Sequence, residues 1–500
     1  MKCLPSLAQM ASFGLGGLVV AGAVLRWGSN NVRRFGNGDE YHYRLEAEAI
    51  FTRGWAHFPE LVRWHLSDEP DFPAPYRWGV LLFNRLACAV RQVCDERSLA
   101  WVSTLSGILV VTLVALLAQK LFTRRTAVVA TALAVTSPLH LELGRRAYAD
   151  ELHTALVLLS FLALANVAIF DTSSTSALRR YAWLGVSLVS LTLAWSVKES
   201  VAFMVPALAI WLWALRSPRR LKWQDGLLLS APAGLSVLGF GLLNHGFSGL
   251  CALFEATRLS LLHPYSIAFQ AGPPHRPLVE LFTLSPVVFA MLPVVPFAAW
   301  GAMRPGDGAA ISNSTDNRAK VLALAFLLLL GMFAFLPKNL RFYAILDPLA
   351  RLLVAWLVCE ILPVRKLHHA LWCAALMLGN SAFELAVFHR TFVVSAVTDP
   401  TASAIFGALQ MIPSAARPWH PTALVTFCAV GSVGLAWAAA RAAGFSKKSM
   451  LGATLISLAS LITPQMLGPQ KGVADTGRAR DAFRASGSMS ASSLDRWETR

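Results

Sequence analysis

The chain has 500 residues, of which 55% are hydrophobic and 14% are charged, and its mean hydropathy is +0.53. Soluble globular domains carry about 25% charged residues, so this composition excludes an ordinary soluble protein and predicts a polytopic membrane protein. The net charge of +16 lies in short basic clusters between apolar segments, which is typical of cytoplasmic loops and argues against a nucleic-acid partner.

Apolar segments recur along the chain and predict an all-α protein with about 12 or 13 transmembrane helices, because each crossing needs about 20 apolar residues. With the N-terminus inside, nearly every inner loop is rich in Lys or Arg, so the predicted orientation is self-consistent. The first outer loop, 28–97, is long, and residues 468–500 are predicted to be a disordered tail. The predicted spans lie near 8–27, 98–119, 126–142, 151–170, 181–197, 200–215, 227–245, 281–301, 320–337, 342–362, 369–388, 421–440 and 449–467.

The first outer loop opens with the sequence "FGNGDEYHYR". Its two carboxylates, Asp39 and Glu40, follow directly after the first span. A partly desolvated carboxylate near the membrane surface can have a raised pKa and act as a base. A structural alternative is that Asp39 caps the N-terminus of the following helix while Glu40 interacts favourably with the helix dipole.

Four basic residues lie at outer helix ends, although outer loops are normally poor in Lys and Arg. An Arg can bind a phosphate bidentately and a Lys acts as a point charge, so these residues are suited to bind a lipid phosphate at headgroup depth. The alternative is that each long side chain only reaches the interface to leave the lipid. The four residues are Arg145, Lys198, Lys338 and Arg341.

A second acidic pair, Asp150 and Glu151, precedes the fourth apolar span. Its carboxylates could orient an acceptor or form ion pairs with Arg145 or Arg146. They could also join Asp39 in holding a divalent cation through oxygen ligands. Ion pairing is the simplest of these interpretations.

The order of four motifs resembles the membrane glycosyltransferases of the GT-C fold, and most of all glycosyltransferase family 39, the group of protein O-mannosyltransferases and aminoarabinose transferases. The motifs are "GDEYHY", "RRAYADELH", "WSVKESVAF" and "PKNLRFYAILDPLARLL". In that family an acidic pair followed by aromatic residues opens the first outer loop, and residues 39–43 match it. A second pattern, Arg-x-Ala-x-x-Asp, matches Arg145, Ala147 and Asp150.

The resemblance implies a GT-C-like catalytic domain over 1–362, with short interfacial helices in its first outer loop. Further transmembrane helices, with an outer loop at 389–420, are predicted over 363–467. The family's usual Pro-Pro element is replaced here by "DFPAPYRWG", in which Pro73 and Pro75 are separated. Details of acceptor recognition are therefore not carried over.

The function that the resemblance implies is transfer of a sugar from a polyprenyl-phosphate donor to an acceptor hydroxyl on a lipid, glycan or protein. The reaction would invert the anomeric centre on the non-cytoplasmic side of the cell's inner membrane, or of the ER membrane in a eukaryote. No cofactor is certain, and a divalent cation remains open.

Asp39, with Glu40 beside it, is the expected catalytic pair, and the four basic residues at the outer helix ends are expected to bind the donor phosphate. A lipid phosphate is a good leaving group, so the enzyme must mainly deprotonate the acceptor and stabilise the departing charge. The loop at 254–281 suits either a lid or a plain interfacial loop. Residues expected to contact substrate are Tyr41, His42, Asp150, Glu151, His263, His275 and Tyr343.

A second class of function is a flippase or a secondary transporter for lipid-linked sugars. Such carriers favour paired repeats, interrupted helices and ionisable groups near the bilayer midplane, whereas the charges here cluster at the outer helix ends. A polysaccharide ligase or polymerase would concentrate its functional groups in a large late outer loop, but the first acidic pair of this chain comes early.

Two features stay open at this level. Glu384 interrupts the apolar segment "NSAFELAVF" and is either functional or exposed to water. Cys88 and Cys94 could pair, but no redox compartment follows from their spacing.

Overall fold

The computed structural model describes residues 7–28, 38–67, 77–170, 177–215, 223–262, 277–278, 281, 284–301, 313–335, 340–361, 379–382 and 384–385. All regular structure in these ranges is helical, which confirms the all-α prediction. The α-helices are α1 (Leu7–Gly28), α2 (Gly38–Arg53), α3 (Phe58–Ser67), α4 (Trp78–Arg91), α5 (Glu96–Leu121), α6 (Arg124–Val135), α7 (Pro138–Leu143), α8 (Ala149–Phe170), α9 (Ala177–Val197), α10 (Met204–Leu215), α11 (Trp223–Leu243), α12 (Phe247–Leu262), α13 (Pro286–Met291), α14 (Val294–Gly301), α15 (Asn313–Phe335) and α16 (Leu346–Trp356). Short 3-10 turns are Trp55–His57, Glu199–Phe203 and Leu340–Tyr343, and a π-helical turn, Leu357–Ile361, extends α16.

Helix α8 forms the centre of the bundle. Nearly all of its side chains are buried, and it packs against α5, α9 and α10. Four helices in the described part are long and apolar enough to cross a membrane, and all four coincide with predicted spans: Glu96–Leu121, Ala149–Ala168, Trp223–Leu243 and Asn317–Ala334. The predicted spans at 421–440 and 449–467, the loop at 389–420 and the tail lie outside the described residues, so the total number of crossings stays a prediction.

The predicted span at 126–142 is not one helix, because α6 ends at Val135 and α7 begins at Pro138. Proline lacks an N–H, so it is tolerated at the first position of a new helix and not inside a continuing one. The last carbonyls of α6 accept hydrogen bonds of 2.5 to 3.2 Å from the guanidinium groups of Arg26 and Arg351. These bonds satisfy the backbone groups that the break leaves exposed inside the bundle.

The first outer loop contains three helices, α2, α3 and α4, in agreement with the predicted short interfacial helices. Helix α4 packs against α2, α5 and α9. Its contact with α9 requires a glycine, because a Cβ added at Gly79 would lie 3.0 Å from the backbone carbonyl carbon of Ser196. Helix α4 is thereby packed closely against the bundle.

A disulfide between Cys88 and Cys94 joins the end of α4 to the chain that enters α5. Between them Gln92 adopts the left-handed conformation, with φ 56°, that ends α4. Asp95 then caps α5, since its carboxylate accepts the backbone N–H of Ser98 at 2.8 Å. The pairing that the sequence left open is therefore present.

Candidate active site

Four separate segments meet at one end of the bundle. They are the first turns of α2, the turn at 144–148 with the start of α8, the turn at 198–203, and the 3-10 turn Leu340–Tyr343. Contacts within the bundle fix the second of these, because Ser103 and Thr104 of α5 donate hydrogen bonds to the carbonyls of Tyr148 and Gly144 at 3.1 and 2.8 Å. Ionisable side chains from all four segments form the candidate site.

Glu40 is fully buried and forms a bidentate ion pair with Arg146. Nε and Nη2 of Arg146 donate to the two carboxylate oxygens at 2.8 and 2.6 Å, and the backbone N–H of Ala147 donates at 3.0 Å. Three hydrogen bonds with this geometry fix the position of the carboxylate. In this arrangement Glu40 joins α2 to the turn that precedes α8.

Asp39 precedes this anchor and lies within the first turn of α2, which begins at Gly38. With Asp39 as the N-cap the helix would begin at Glu40, so it starts two residues earlier than the capping interpretation requires. The side chain of Asp39 lies outside the described part of the structure, and its role as a base stays a prediction. The bond between Glu40 and Arg146 places the backbone of Asp39 beside the other site segments.

Asp150 and Lys198 form a buried ion pair that joins the start of α8 to the end of α9. Arg341 is a second electrostatic neighbour of the same carboxylate, and Arg77 is a third. The ion pairing expected for Asp150 is therefore present, but its partner is Lys198 rather than Arg145 or Arg146. Lys198 and Arg341 thus both lie beside Asp150.

Aromatic rings hold the cations of this cluster. The guanidinium of Arg341 lies 4.9 Å from the ring centre of Tyr148 and 5.6 Å from that of Phe342. The ammonium of Lys198 lies 4.4 Å from the ring centre of Phe342. Contacts of this type favour a cation in a poorly hydrated site. The side chains of Lys198 and Arg341 are accordingly buried against the rings of Tyr148 and Phe342.

Sequence reasoning missed Arg77 and Glu199, although both belong to the site. Nε and Nη2 of Arg77 donate to the carboxylate of Glu199 at 3.0 and 2.6 Å, and Nη1 donates to the hydroxyl of Tyr43 at 3.0 Å. The sequence did contain a signal for both residues. Arg77 lies in the segment "DFPAPYRWG", which replaces the family's Pro-Pro element, and Glu199 follows Lys198 in the motif "WSVKESVAF".

Glu46 lies one turn after Tyr43 on α2, outside the apolar spans, and is another buried carboxyl group beside Arg77. Burial raises the pKa of Glu46 to about 8, against the opposing effect of Arg77. The carboxyl group therefore carries its proton at neutral pH and does not neutralise the nearby cations.

Several predicted residues take other positions. Arg145 pairs with Glu142. Tyr41 is half exposed, and its ring meets that of His42 edge-on with 5.7 Å between centres. Tyr343 is fully buried against Phe333.

Glu151 faces away from Asp150 and bonds His140. Lys338, His263 and His275 lie outside the described residues, as does most of the loop at 254–281, so their predicted roles and the lid interpretation are not addressed.

Among the described side chains, no group of three or more His, Cys, Asp and Glu residues could hold a metal ion. The carboxylate of Asp39, which was considered as a ligand, is outside that set. Asp150 and Glu40 are each paired with a basic side chain.

Comparison with known proteins gives one family match. Residues 78–239, from α4 to near the end of α11, match the family described as dolichyl-phosphate-mannose-protein mannosyltransferase. No curated protein matches the sequence.

Solved structures extend the likeness over most of the chain. ArnT from Cupriavidus metallidurans bound to undecaprenyl phosphate has a TM-score of 0.50 at 14% identity, with 89% of this chain and 77% of that chain covered. The apo form of the same protein gives 0.49 at 15% identity, covering 90% and 78%. The archaeal oligosaccharyltransferase AglB from Archaeoglobus fulgidus gives 0.44 at 13% identity, and the match covers 80% of this chain but only 56% of AglB.

The chain is thus similar to this family over the matched segment, and its helical fold is similar to that of ArnT. The resemblance expected from the four sequence motifs is thus confirmed. The site described above lies partly within the matched segment, which contributes Arg146, Asp150, Lys198 and Glu199, and partly outside it.

Proposed function

We propose that this protein transfers a sugar from a polyprenyl-phosphate donor to an acceptor hydroxyl, and that the site formed by Asp150, Lys198 and Arg341 binds the donor phosphate. The observation that carries the proposal is that three separate segments bring the cations of Lys198 and Arg341 together at Asp150, at the same end of the bundle as the start of α2. Of the structural neighbours, ArnT was solved with undecaprenyl phosphate, which is a ligand of this charge and type.

The proposed chemistry divides between the two sides of the site. The cations stabilise the negative charge that develops on the phosphate as the bond between the anomeric carbon and the phosphate oxygen breaks. Asp39, on the facing helix, accepts the proton of the acceptor hydroxyl as its oxygen forms the new glycosidic bond. Attack opposite the leaving phosphate inverts the anomeric centre.

The disulfide supports a site on the non-cytoplasmic side of the membrane. Cys94 lies just before α5, and two turns further on Ser103 and Thr104 bond the turn of the site. Since cytoplasmic thiols are kept reduced, a disulfide at this end of the bundle favours an oxidising compartment. The basic inner loops of the sequence favour the same orientation.

This orientation predicts which cysteines react from outside an intact cell. After reduction with a membrane-impermeant phosphine, we expect an impermeant maleimide to label Cys94, which is partly exposed, with the site located by peptide mass spectrometry. Cys359, near the opposite end of α16, is the matched cysteine that we expect to stay unlabelled. Labelling of Cys359 alone would reverse the proposed orientation.

A transfer assay separates an enzyme from a carrier. Proteoliposomes that contain the chain are given a panel of synthetic undecaprenyl-phosphate-linked sugars and candidate lipid, glycan and peptide acceptors. We expect release of undecaprenyl phosphate together with a glycosylated product. Movement of an intact lipid-linked sugar between leaflets, without cleavage of the sugar–phosphate bond, would instead support the flippase alternative and contradict the proposal.

A further inference from the structure

A second group of ionisable side chains lies behind the candidate site and takes no part in the proposed chemistry. Each member is 2% exposed or less. We call this group the rear cluster, and its members are Arg26, His140, Glu151, Asp347, Arg351 and Glu384.

Arg351 is the centre of the rear cluster. Its Nε donates to Oδ2 of Asp347 at 2.7 Å, and its Nη2 donates to Oε1 of Glu384 at 2.9 Å. The same Nη2 donates to the hydroxyl of Ser285 at 2.8 Å. Glu384 also accepts the hydroxyls of Ser285 and Thr136 at 2.7 and 2.6 Å. The charge that interrupts the apolar segment in the sequence is therefore fully paired and not in contact with water.

The cluster continues from α16 to α8. Nε2 of His140 lies 3.7 Å from Oδ2 of Asp347, and Nδ1 of His140 bonds Oε2 of Glu151 at 2.7 Å. The approach of α5 at this point depends on Gly107, since an added Cβ there would lie 3.0 Å from Oε1 of Glu151 and 3.1 Å from Nε of Arg26.

Three segments of the chain each place one ionisable side chain in the candidate site and another in the rear cluster. Neighbouring residues in α8 point in opposite directions, one toward Lys198 and one toward His140. The chain around α16 and the chain around α7 show the same division. The chain around α7 contributes Arg146 to the site and His140 to the cluster. Helix α8 likewise contributes Asp150 and Glu151, and the chain around α16 contributes Arg341 and Asp347.

We propose that the rear cluster is a positioning device for the transfer reaction, which rests on the proposed function. Its hydrogen bonds and ion pairs join the three segments on the side away from the candidate site. The side chains on the site side of these segments are thereby kept at a fixed separation. A misplacement of about 1 Å in an active site can lower a rate by about 10²-fold, and buried networks of this kind rigidify the elements that they join. Glu384 and Arg351 are thus positioning residues that touch neither donor nor acceptor.

The test compares the same substitution at two glutamates. Glu384→Gln keeps the shape of the side chain but removes the charge that faces Arg351. Glu360→Gln is the matched control, because Glu360 also accepts a threonine hydroxyl, that of Thr126 at 2.7 Å, at the opposite end of α16 from the site segments. For monodisperse protein, we expect kcat to fall about tenfold or more in Glu384→Gln and to change less than about twofold in the control.

A milder variant and a rescue keep the test decisive if Glu384→Gln folds poorly. Ser285→Ala removes one hydroxyl from Glu384 and leaves the ion pair with Arg351. We expect a smaller but measurable loss of kcat. Glu384→Asp restores the charge and should recover part of the rate. Equal losses in Glu384→Gln and Glu360→Gln, or full activity in folded Glu384→Gln, would overturn the positioning role.

Hydrogen–deuterium exchange tests, independently of catalysis, whether the rear cluster holds the site segments in place. We expect Glu384→Gln to speed exchange at 144–151 and 340–347, with unchanged exchange at 108–120 of α5. Uniformly faster exchange would indicate general destabilisation and would contradict the proposal. If Glu384→Gln shows this local pattern but the unmodified protein transfers no sugar from any donor, the proposed function fails while the positioning of the segments stands.

Discussion

Asp39→Asn is expected to lower the rate of sugar transfer by about 10²- to 10⁴-fold, which is the usual contribution of a general base. The amide cannot accept the proton of the acceptor hydroxyl, whereas its size and its place in the first turn of α2 are unchanged. Because the phosphate-binding side chains remain, donor affinity should stay within about twofold. The measurement is single-turnover transfer with donor in excess of its dissociation constant.

Glu48→Gln is the matched control for this prediction. Glu48 lies on the exposed face of the same helix, away from the site, and the substitution also converts a carboxylate to an amide. We expect normal activity in this variant. Undiminished transfer by Asp39→Asn would show that Asp39 is not the base. The other acidic residues of the site would then be the candidates for that role.

Arg341→Ala is expected to weaken the binding of undecaprenyl phosphate by about 10- to 100-fold. A hydrogen bond to a charged group contributes about 1.5–3 kcal/mol, and each 1.4 kcal/mol is about a factor of ten in affinity. The affinity can be measured by native mass spectrometry of the protein in nanodiscs. Lys198→Ala is a less suitable probe, because it leaves the buried carboxylate of Asp150 without its ion-pair partner and is expected to destabilise the fold.

Arg258→Ala supplies the control for the loss of a guanidinium. Arg258 lies on the surface of α12, where it pairs with Glu255. Its removal should leave the affinity for undecaprenyl phosphate unchanged. If Arg341→Ala binds the lipid as tightly as the unmodified protein, the assignment of the phosphate site is wrong.

The helical class followed from the sequence because it depends on local signals. Apolar runs of spanning length predict α5, α8, α11 and α15, and all four helices are long and apolar enough to cross a membrane. The candidate site residues were selected by a second local signal, their charge at the ends of predicted spans, and their roles stay predictions. No pairing between distant residues was needed for these conclusions.

Pairings between distant segments could not be read from the sequence. Arg145 and Arg146 are adjacent and chemically identical, and only the path of the turn after α7 directs Arg146 to Glu40 and Arg145 to Glu142. Asp150 and Glu151 are likewise adjacent, but on helix α8 they point in different directions. Asp150 lies in the candidate site and Glu151 in the rear cluster.

The break after α6 was also hidden, because a hydropathy window averages over Ser137 and Pro138. The arginines that satisfy the freed carbonyls come from α1 and α16, far away in the chain. Glu384 was recognised as an unusual charge, but its partners Arg351, Ser285 and Thr136 lie 33, 99 and 248 residues away in sequence. A single sequence contains no local signal for such contacts.

The central claim is that the cations of this site bind the phosphate of a polyprenyl donor opposite the carboxylate of Asp39. The most direct measurement is a cryo-electron microscopy structure of the protein in nanodiscs with undecaprenyl phosphate. We predict phosphate oxygens within about 2.7–3.2 Å of the guanidinium of Arg341, with the Asp39 carboxylate facing the phosphate across the cavity. Phosphate bound at the opposite ends of the helices, or Asp39 directed away from it, would contradict the account.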